Sequence, residues 1–226
     1  MIRPLLESWP DYLFRARRWG PRDYLCEFDH EDLERARHSV LWRGEWQRQT
    51  EQVLGVMDSF GLVGDGARVL DYGCGVGRIT AELLRRYRLS VRAVDRSPAM
   101  RRHAQAALAP FLASGVARID DDVEFLRAAN VDKDQTFDVI LVIEVVQHIP
   151  EPILVGLLPA LRRMLAPGGK LFVYGNDLLD VDRRGWFSST PVRDVVTQYL
   201  RVLREDRWPF APAPRNSLLC SGEAAP

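Results

Sequence analysis

Asp71 stands two residues before the first of three alternating glycines, Gly73, Gly75 and Gly77. Val69 and Leu70 close a short apolar run ahead of it, and Ile79, Leu83 and Leu84 recur behind it at helical spacing. Apolar strand, glycine turn and helix, in that order, open a nucleotide-binding βαβ unit. The turn is sharp and lets a ligand approach bare backbone, while the helix aims free N–H groups and its positive dipole end at that ligand. The spacing departs from the dinucleotide fingerprint G-x-G-x-x-G, because Arg78 stands at the sixth position. A carboxylate beside the glycines repels a pyrophosphate and suits a ligand that carries an amino group and a positive sulfur. A glycine-rich turn that holds no ligand is the plainer alternative.

Further groups that can do chemistry follow at the ends of later strands. Ser90–Asp95 reads as a second strand, which puts Asp95 and Arg96 at its carboxyl end, about twenty residues past the glycines, where an acid meets a ribose diol in such folds. A carboxylate can accept from both hydroxyls; a helix cap is the alternative. Ser97-Pro98 is a helix start, and Met100 behind it faces either an adenine or the core. Strand three has two registers, one over Val116–Ile119 that leaves Asp120, Asp121 and Asp122 at its end and one over Val123–Leu126; we prefer the first. Phe137–Ile143 is a continuous apolar run, as a parallel strand covered on both faces requires. Glu144 follows it, and His148 lies about one helical turn on, so both can face one cavity. An imidazole is suited to take a proton from a hydroxyl or phenol, and a structural histidine is the alternative.

Three ordered stretches carry a resemblance. Val69–Gly77 resembles motif I of the class I S-adenosylmethionine (SAM) dependent methyltransferases, close to V-L-D-x-G-C-G-x-G. Phe137–Ile143 followed by Glu144, Gln147 and His148-Ile-Pro resembles the ubiquinone-type O-methyltransferases, which show M-E-x-L-E-H-V-P there. Leu165-Ala-Pro-Gly-Gly-Lys-Leu resembles the family's L-K-P-G-G-x-L turn between a helix and strand five, with Ala166 in place of the lysine. The resemblance covers about residues 50 to 175. It implies an α/β fold, a Rossmann-like, doubly wound, mostly parallel seven-stranded sheet with an N-terminal helical extension. It implies SAM as cofactor and S-adenosylhomocysteine as product, held by Asp71, Gly73, Gly75, Gly77, Asp95, Arg96, Met100, Asp121, Asp122 and Glu144. Asp121 in Asp121-Asp-Val-Glu-Phe-Leu126 matches an adenine-contacting acid of the family, and Glu144 and His148 are the catalytic candidates. Some ubiquinone-type enzymes place a divalent metal on Glu, Glu and His; Gln147 replaces the second acid here, which makes a metal site weak, so none is expected.

Composition narrows the acceptor. At 226 residues with 46% hydrophobic content the chain is one domain with additions, and its formal net charge of +0 argues against a broad nucleic-acid surface. Sparse cysteines (Cys26, Cys74, Cys220), no apolar leader after Met1 and no run near the ~20 residues that cross a bilayer read as a cytoplasmic protein without a membrane partner. We expect residues 1–48 to form a helical segment or lid, with a helix near Glu31–Arg37 and Tyr24, His30, His38, Trp42 and Trp46 as candidate pocket residues, and residues 49–226 to form the methyltransferase domain. Within it the cofactor half is about 66–150 and the acceptor side about 175–226, where a helix runs from Ser189 or Thr190 to about Arg201 and the last two strands pair antiparallel. The expected partner is a small-molecule acceptor with an oxygen or nitrogen nucleophile. An RNA or protein acceptor, or a methyltransferase fold that binds without turnover, are the rival readings.

Overall fold

The computed structural model describes residues 30–34, 36, 46–131, 135–146, 149, 151–175, 178–179, 190–210 and 214–223. Helix α1 (Trp46–Ser59) leads into β1 (Arg68–Tyr72), α2 (Arg78–Arg86), β2 (Ser90–Asp95), α3 (Pro98–Ala107), the short α4 (Ala109–Ala113) and β3 (Ala117–Asp121). Then follow α5 (Asp122–Val131), β4 (Phe137–Ile143), α6 (Glu151–Arg163), β5 (Leu165–Gly175), α7 (Val192–Thr197), β6 (Arg201–Trp208) and β7 (Arg215–Ser221). The seven strands form one sheet in the order β3-β2-β1-β4-β5-β7-β6. All neighbours are parallel except that β7 runs antiparallel to both β5 and β6.

Alternation along the central strands explains the two layers of helices. Leu70, Ile140, Val142 and Val173 point to one face, where they pack with Phe125 of α5, Leu154 and Leu158 of α6 and Val196 of α7. Val69, Leu141, Ile143, Phe172 and Tyr174 point to the other, under Val53 and Met57 of α1 and Ile79 and Leu83 of α2. Because both faces are covered, β4 is apolar at nearly every position rather than alternating. Ser97 caps α3 by accepting from the Met100 N–H at 3.1 Å, as its Ser-Pro start requires.

Strand three takes the preferred register, with its pairing running from Val91↔Ala117 to Asp95↔Asp121. Two boundaries differ from expectation. The Pro167-Gly168-Gly169 turn is not a connection ahead of β5 but an irregularity inside it: Leu165 already pairs with Phe137, and pairing resumes at Val139↔Lys170. The last helix ends at Thr197 rather than near Arg201, because the chain must bury Leu200 and enter β6. Of the expected N-terminal helix, Leu33, Glu34 and Ala36 are helical, and Ala36 is buried against Val76, Met100 and Trp46. Tyr24, His38, Trp42, Gln147 and His148 lie outside the described residues.

Candidate active site

Parallel strands deliver their last residues to one edge of the sheet, and that edge collects the polar groups. Asp71 is the last residue but one of β1, ahead of the glycine turn, Asp95 and Asp121 end β2 and β3, and Glu144 directly follows β4. The antiparallel β7 starts at this edge, so its first residue, Arg215, arrives beside the last residues of the others.

The glycine turn is bound to strand two. Gly73 and Cys74 donate to the Val94 carbonyl at 2.7 and 3.0 Å, and the Gly75 N–H donates to Asp95 Oδ2 at 2.8 Å. Asp95 Oδ1 accepts from the Ser97 N–H at 2.9 Å, so one carboxylate ties the glycine turn to the start of α3. Asp71 is buried; its Oδ2 accepts from the Thr80 hydroxyl at 2.5 Å, and burial pushes its carboxyl up to about 6. The glycines answer different demands. A Cβ on Gly73 meets Val145 Cγ2 at 2.2 Å, and one on Gly77 meets Ala104 of α3 at 3.3 Å, so these two serve packing; a Cβ on Gly75 meets no atom of the described residues within 4 Å.

Arg78, the residue that breaks the dinucleotide fingerprint, lies under α1. It donates to the Thr50 hydroxyl at 2.9 Å and stacks on the Trp46 ring with its guanidinium carbon 5.4 Å from the centroid. Burial lowers its guanidinium to about 10, against the charges of Glu144 and Asp71. Trp46, Asp71, Gly75, Arg78, Ile79 and Glu144 line one cavity over the glycine turn. A larger cavity of about 480 Å³ lies on the other side of Trp46 and Arg78, along α2 and α3, but none of the strand-end carboxylates reaches it. Asp71 and Glu144 therefore converge on the first.

Glu144 holds a backbone conformation that non-glycine residues rarely adopt, with φ 56°. Such a residue costs about 1–3 kcal/mol and persists where its surroundings over-determine it. Here the Glu144 N–H donates to the Tyr174 carbonyl at 2.6 Å, and Oε1 accepts from Arg215 Nε at 2.5 Å, with both side chains about nine-tenths buried. The Tyr174 phenol is held strongly neutral, first by burial and then by the Glu144 charge.

At β3 the two acids divide their tasks. Asp121 Oδ1 caps α5 by accepting from the N–H groups of Val123 and Glu124, and Oδ2 pairs with Arg101 at 3.0 Å. Arg101 also donates to the carbonyls of Asp95 and Arg96, so it fastens strand two to strand three. Asp122 is buried and its Oδ1 has no hydrogen-bond partner among the described residues. Burial pushes its carboxyl up to about 6, against the Arg96 charge that lowers it. Met100 is 2% exposed and packs in the core with Val76. The spacing argument missed Arg78, Arg101, Tyr174 and Arg215; only Arg78 had a signal, its place in the fingerprint. Among the described residues no three His, Cys, Asp or Glu groups gather as a metal site, and no helix is long and apolar enough to cross a membrane.

A raised folded-state carboxyl contributes stability when protonated, present at low pH and lost as pH rises through about 6. Asp122→Asn therefore removes a cost at high pH only. Its thermal midpoint should exceed that of the parent by several degrees at pH 8, from roughly 2–3 kcal/mol, and match it at pH 4. An equal shift at both pH values would show that ionisation of Asp122 is not the cause.

Residues 69–169 match a family model described as a methyltransferase domain. A ubiquinone biosynthesis O-methyltransferase of Xanthomonas euvesicatoria is 34% identical over 108 residues, which are 48% of this chain and 42% of that protein. The match thus spans less than half the length of that curated relative. Among solved structures, a SAM-dependent methyltransferase of the DUF858 family from Leishmania major superposes with a TM-score of 0.68 at 18% identity, covering 92% of this chain and 86% of that one. Magnesium protoporphyrin IX methyltransferase from Synechocystis, solved with bound SAM, gives 0.58 at 18% identity and covers 95% of each chain.

Proposed function

We propose that this chain, whose residues 69–169 match a methyltransferase domain, is a class I SAM-dependent methyltransferase that moves the methyl group of SAM to an oxygen, or a nitrogen, of a small-molecule acceptor by direct in-line displacement. The observation that carries this reading is the row of carboxylates on β1, β2 and β3 and at the start of α5, where the buried Asp122 Oδ1 has no hydrogen-bond partner among the described residues. Such an atom costs free energy unless a donor arrives. The residues present fit SAM. Asp71 supplies negative charge for the cationic methionine end, and Arg78 supplies a cation for its carboxylate. Among the described residues the glycine turn leaves open space at Gly75, and we assign the ribose to Asp95 and Arg96 at the end of β2. We assign the adenine amino group to Asp122 rather than Asp121, whose two oxygens already cap α5 and pair with Arg101.

SAM, when bound, supplies an activated methyl on a positive sulfur. The chain contributes alignment in a closed site, which can supply several kcal/mol or more. The acceptor's lone pair forms the new bond to the methyl carbon as the carbon–sulfur bond breaks and its electron pair stays on sulfur. Glu144 is paired with Arg215 and so acts as a fixed anion rather than as a base. Where the nucleophile arrives protonated, His148, four residues on, is the proposed base. The 34% identical relative supports an oxygen acceptor, and Trp46 offers an aromatic wall to it.

The test is the thermal midpoint with and without S-adenosylhomocysteine, with NAD as control. At ~100 times its dissociation constant the ligand adds about 2.7 kcal/mol, a rise of roughly 5–10 °C for a chain of this size. A rise with NAD instead, or none with S-adenosylhomocysteine, would remove the assignment.

A further inference from the structure

Pairing between β2 and β3 ends at Asp95↔Asp121. The chain leaves both strands there, and its backbone groups need partners from elsewhere. One side chain serves both ends. Arg101 Nη1 donates to the Asp95 carbonyl at 2.7 Å and to the Arg96 carbonyl at 2.8 Å, and it lies 3.0 Å from Asp121 Oδ2. Arg101 stands in the first turn of α3, where a cation works against the helix dipole, so the helix that carries it does not explain its place. Each of its acceptors leads on to a second group. The Asp95 carboxylate takes the Gly75 and Ser97 N–H groups and so fastens the glycine turn. Asp121 Oδ1 takes the Val123 and Glu124 N–H groups and so sets where α5 begins. The residue with which α5 begins is Asp122, whose buried Oδ1 has no hydrogen-bond partner among the described residues. Arg101 thus joins the carboxylate we assign to the ribose to the one we assign to the adenine amino group.

We propose that Arg101 is a positioning residue for the adenosine half of the methyl donor, holding the ends of β2 and β3 at the separation at which Asp95 and Asp122 meet one nucleoside. This rests on the methyl-donor assignment above. A hydrogen bond weakens steeply once its distance and angle leave a narrow range, so a small shift of α5 deprives the amino group of its acceptor. A guanidinium suits the task, because it stays charged and presents several N–H donors in a fixed plane to acceptors on two strands. Asp121 keeps that plane in place: one oxygen faces Arg101 while the other caps α5, so strap and cap move together. Asp122 reads the amino group, and Arg101 acts through Asp121 and the β2 carbonyls without touching it.

The experiment measures the dissociation constants of S-adenosylhomocysteine and of its analogue lacking the 6-amino group of the purine. It does so for the whole chain and for Arg101→Met, Arg101→Lys, Asp121→Asn and the double variant of Arg101→Met with Asp121→Asn. The readout is the preference for the amino-bearing ligand, which a loss of stability alone does not move. The unaltered chain should show a preference of about tenfold or more, since the analogue leaves the Asp122 oxygen without a donor. Arg101→Met should lose most of that preference. Arg101→Lys, which keeps a point charge without the planar fork, should keep part of it. Asp121→Asn retains an acceptor for the cap but no charge for Arg101; it should lose part, and the double variant little more than Arg101→Met alone. If Arg101→Met does not fold, Arg101→Lys and Asp121→Asn decide the matter. A lower melting midpoint with the preference intact would make Arg101 a structural strap and overturn the proposal. So would the absence of any preference in the unaltered chain, although binding of S-adenosylhomocysteine would then leave the methyl-donor assignment standing. If the unaltered chain binds neither ligand, that assignment itself fails, and this proposal with it.

Discussion

Gly73→Ala and Gly75→Ala should fail in opposite ways. At Gly73 the added methyl must sit 2.2 Å from Val145 Cγ2, on a backbone with φ +82°. A left-handed alanine costs about 1–2 kcal/mol and overpacking typically 1–3 more. The loss is on the order of 2–5 kcal/mol, or a midpoint lower by roughly 5–15 °C in the absence of any ligand. At Gly75 the methyl meets no atom of the described residues within 4 Å, so only the backbone term of about 1–2 kcal/mol applies, and the fold survives with a small shift. The space above Gly75 is nevertheless where we place the methyl donor. Gly75→Ala should therefore weaken S-adenosylhomocysteine by tenfold or more while leaving the protein folded, a loss of at least ~1.4 kcal/mol of binding. Calorimetric titration beside a melting curve separates the two. If Gly75→Ala binds as the parent does, the donor does not lie over this turn.

That contrast also marks how far the sequence could be read. The alternating glycines identify a turn, but they do not say that Gly73 yields to Val145, seventy-two positions on, or Gly77 to Ala104 of another helix. The fourth strand was legible because burial on both faces makes β4 apolar at all but one position, a signal local to the segment, and the first from Val69 and Leu70 just ahead of the glycine turn. The Ser97-Pro98 cap was legible for the same reason: its chemistry is complete within four residues. Asp121 and Asp122 are adjacent acids, and only the start of α5 decides which one caps and which is buried with one oxygen unpartnered among the described residues. Arg215 carried no signal at all. It matters because an antiparallel last strand begins where the parallel ones end, a property of topology rather than of any short motif. Arg101 is similar, one arginine in a helix until its reach to the Asp95 and Arg96 carbonyls and to Asp121 is seen.

Asp95→Ala should cost the protein twice. Without ligand, it strips the Gly75 and Ser97 N–H groups of their acceptor. Partly buried donors left unpaired cost about 1–3 kcal/mol, so the midpoint should fall by several degrees. With ligand, it also removes the group we assign to the ribose. A carboxylate offers about four lone-pair sites; the backbone of Gly75, Ser97 and Arg96 takes part of that capacity, and we assign the rest to hydroxyls. S-adenosylhomocysteine should then bind roughly 10–100-fold more weakly, about 1.4–2.8 kcal/mol. Asp95→Asn makes the assignment sharper. Its amide keeps one acceptor but turns an N–H₂ toward either Gly75 or Ser97, a donor against a donor. It should therefore lose nearly as much stability as alanine despite its matching shape, and a ribose contact should weaken with it. The decisive comparison is between apo stability and affinity. If both variants melt early yet bind S-adenosylhomocysteine with parental affinity, Asp95 only straps the glycine turn to α3, and the ribose must be held by other groups.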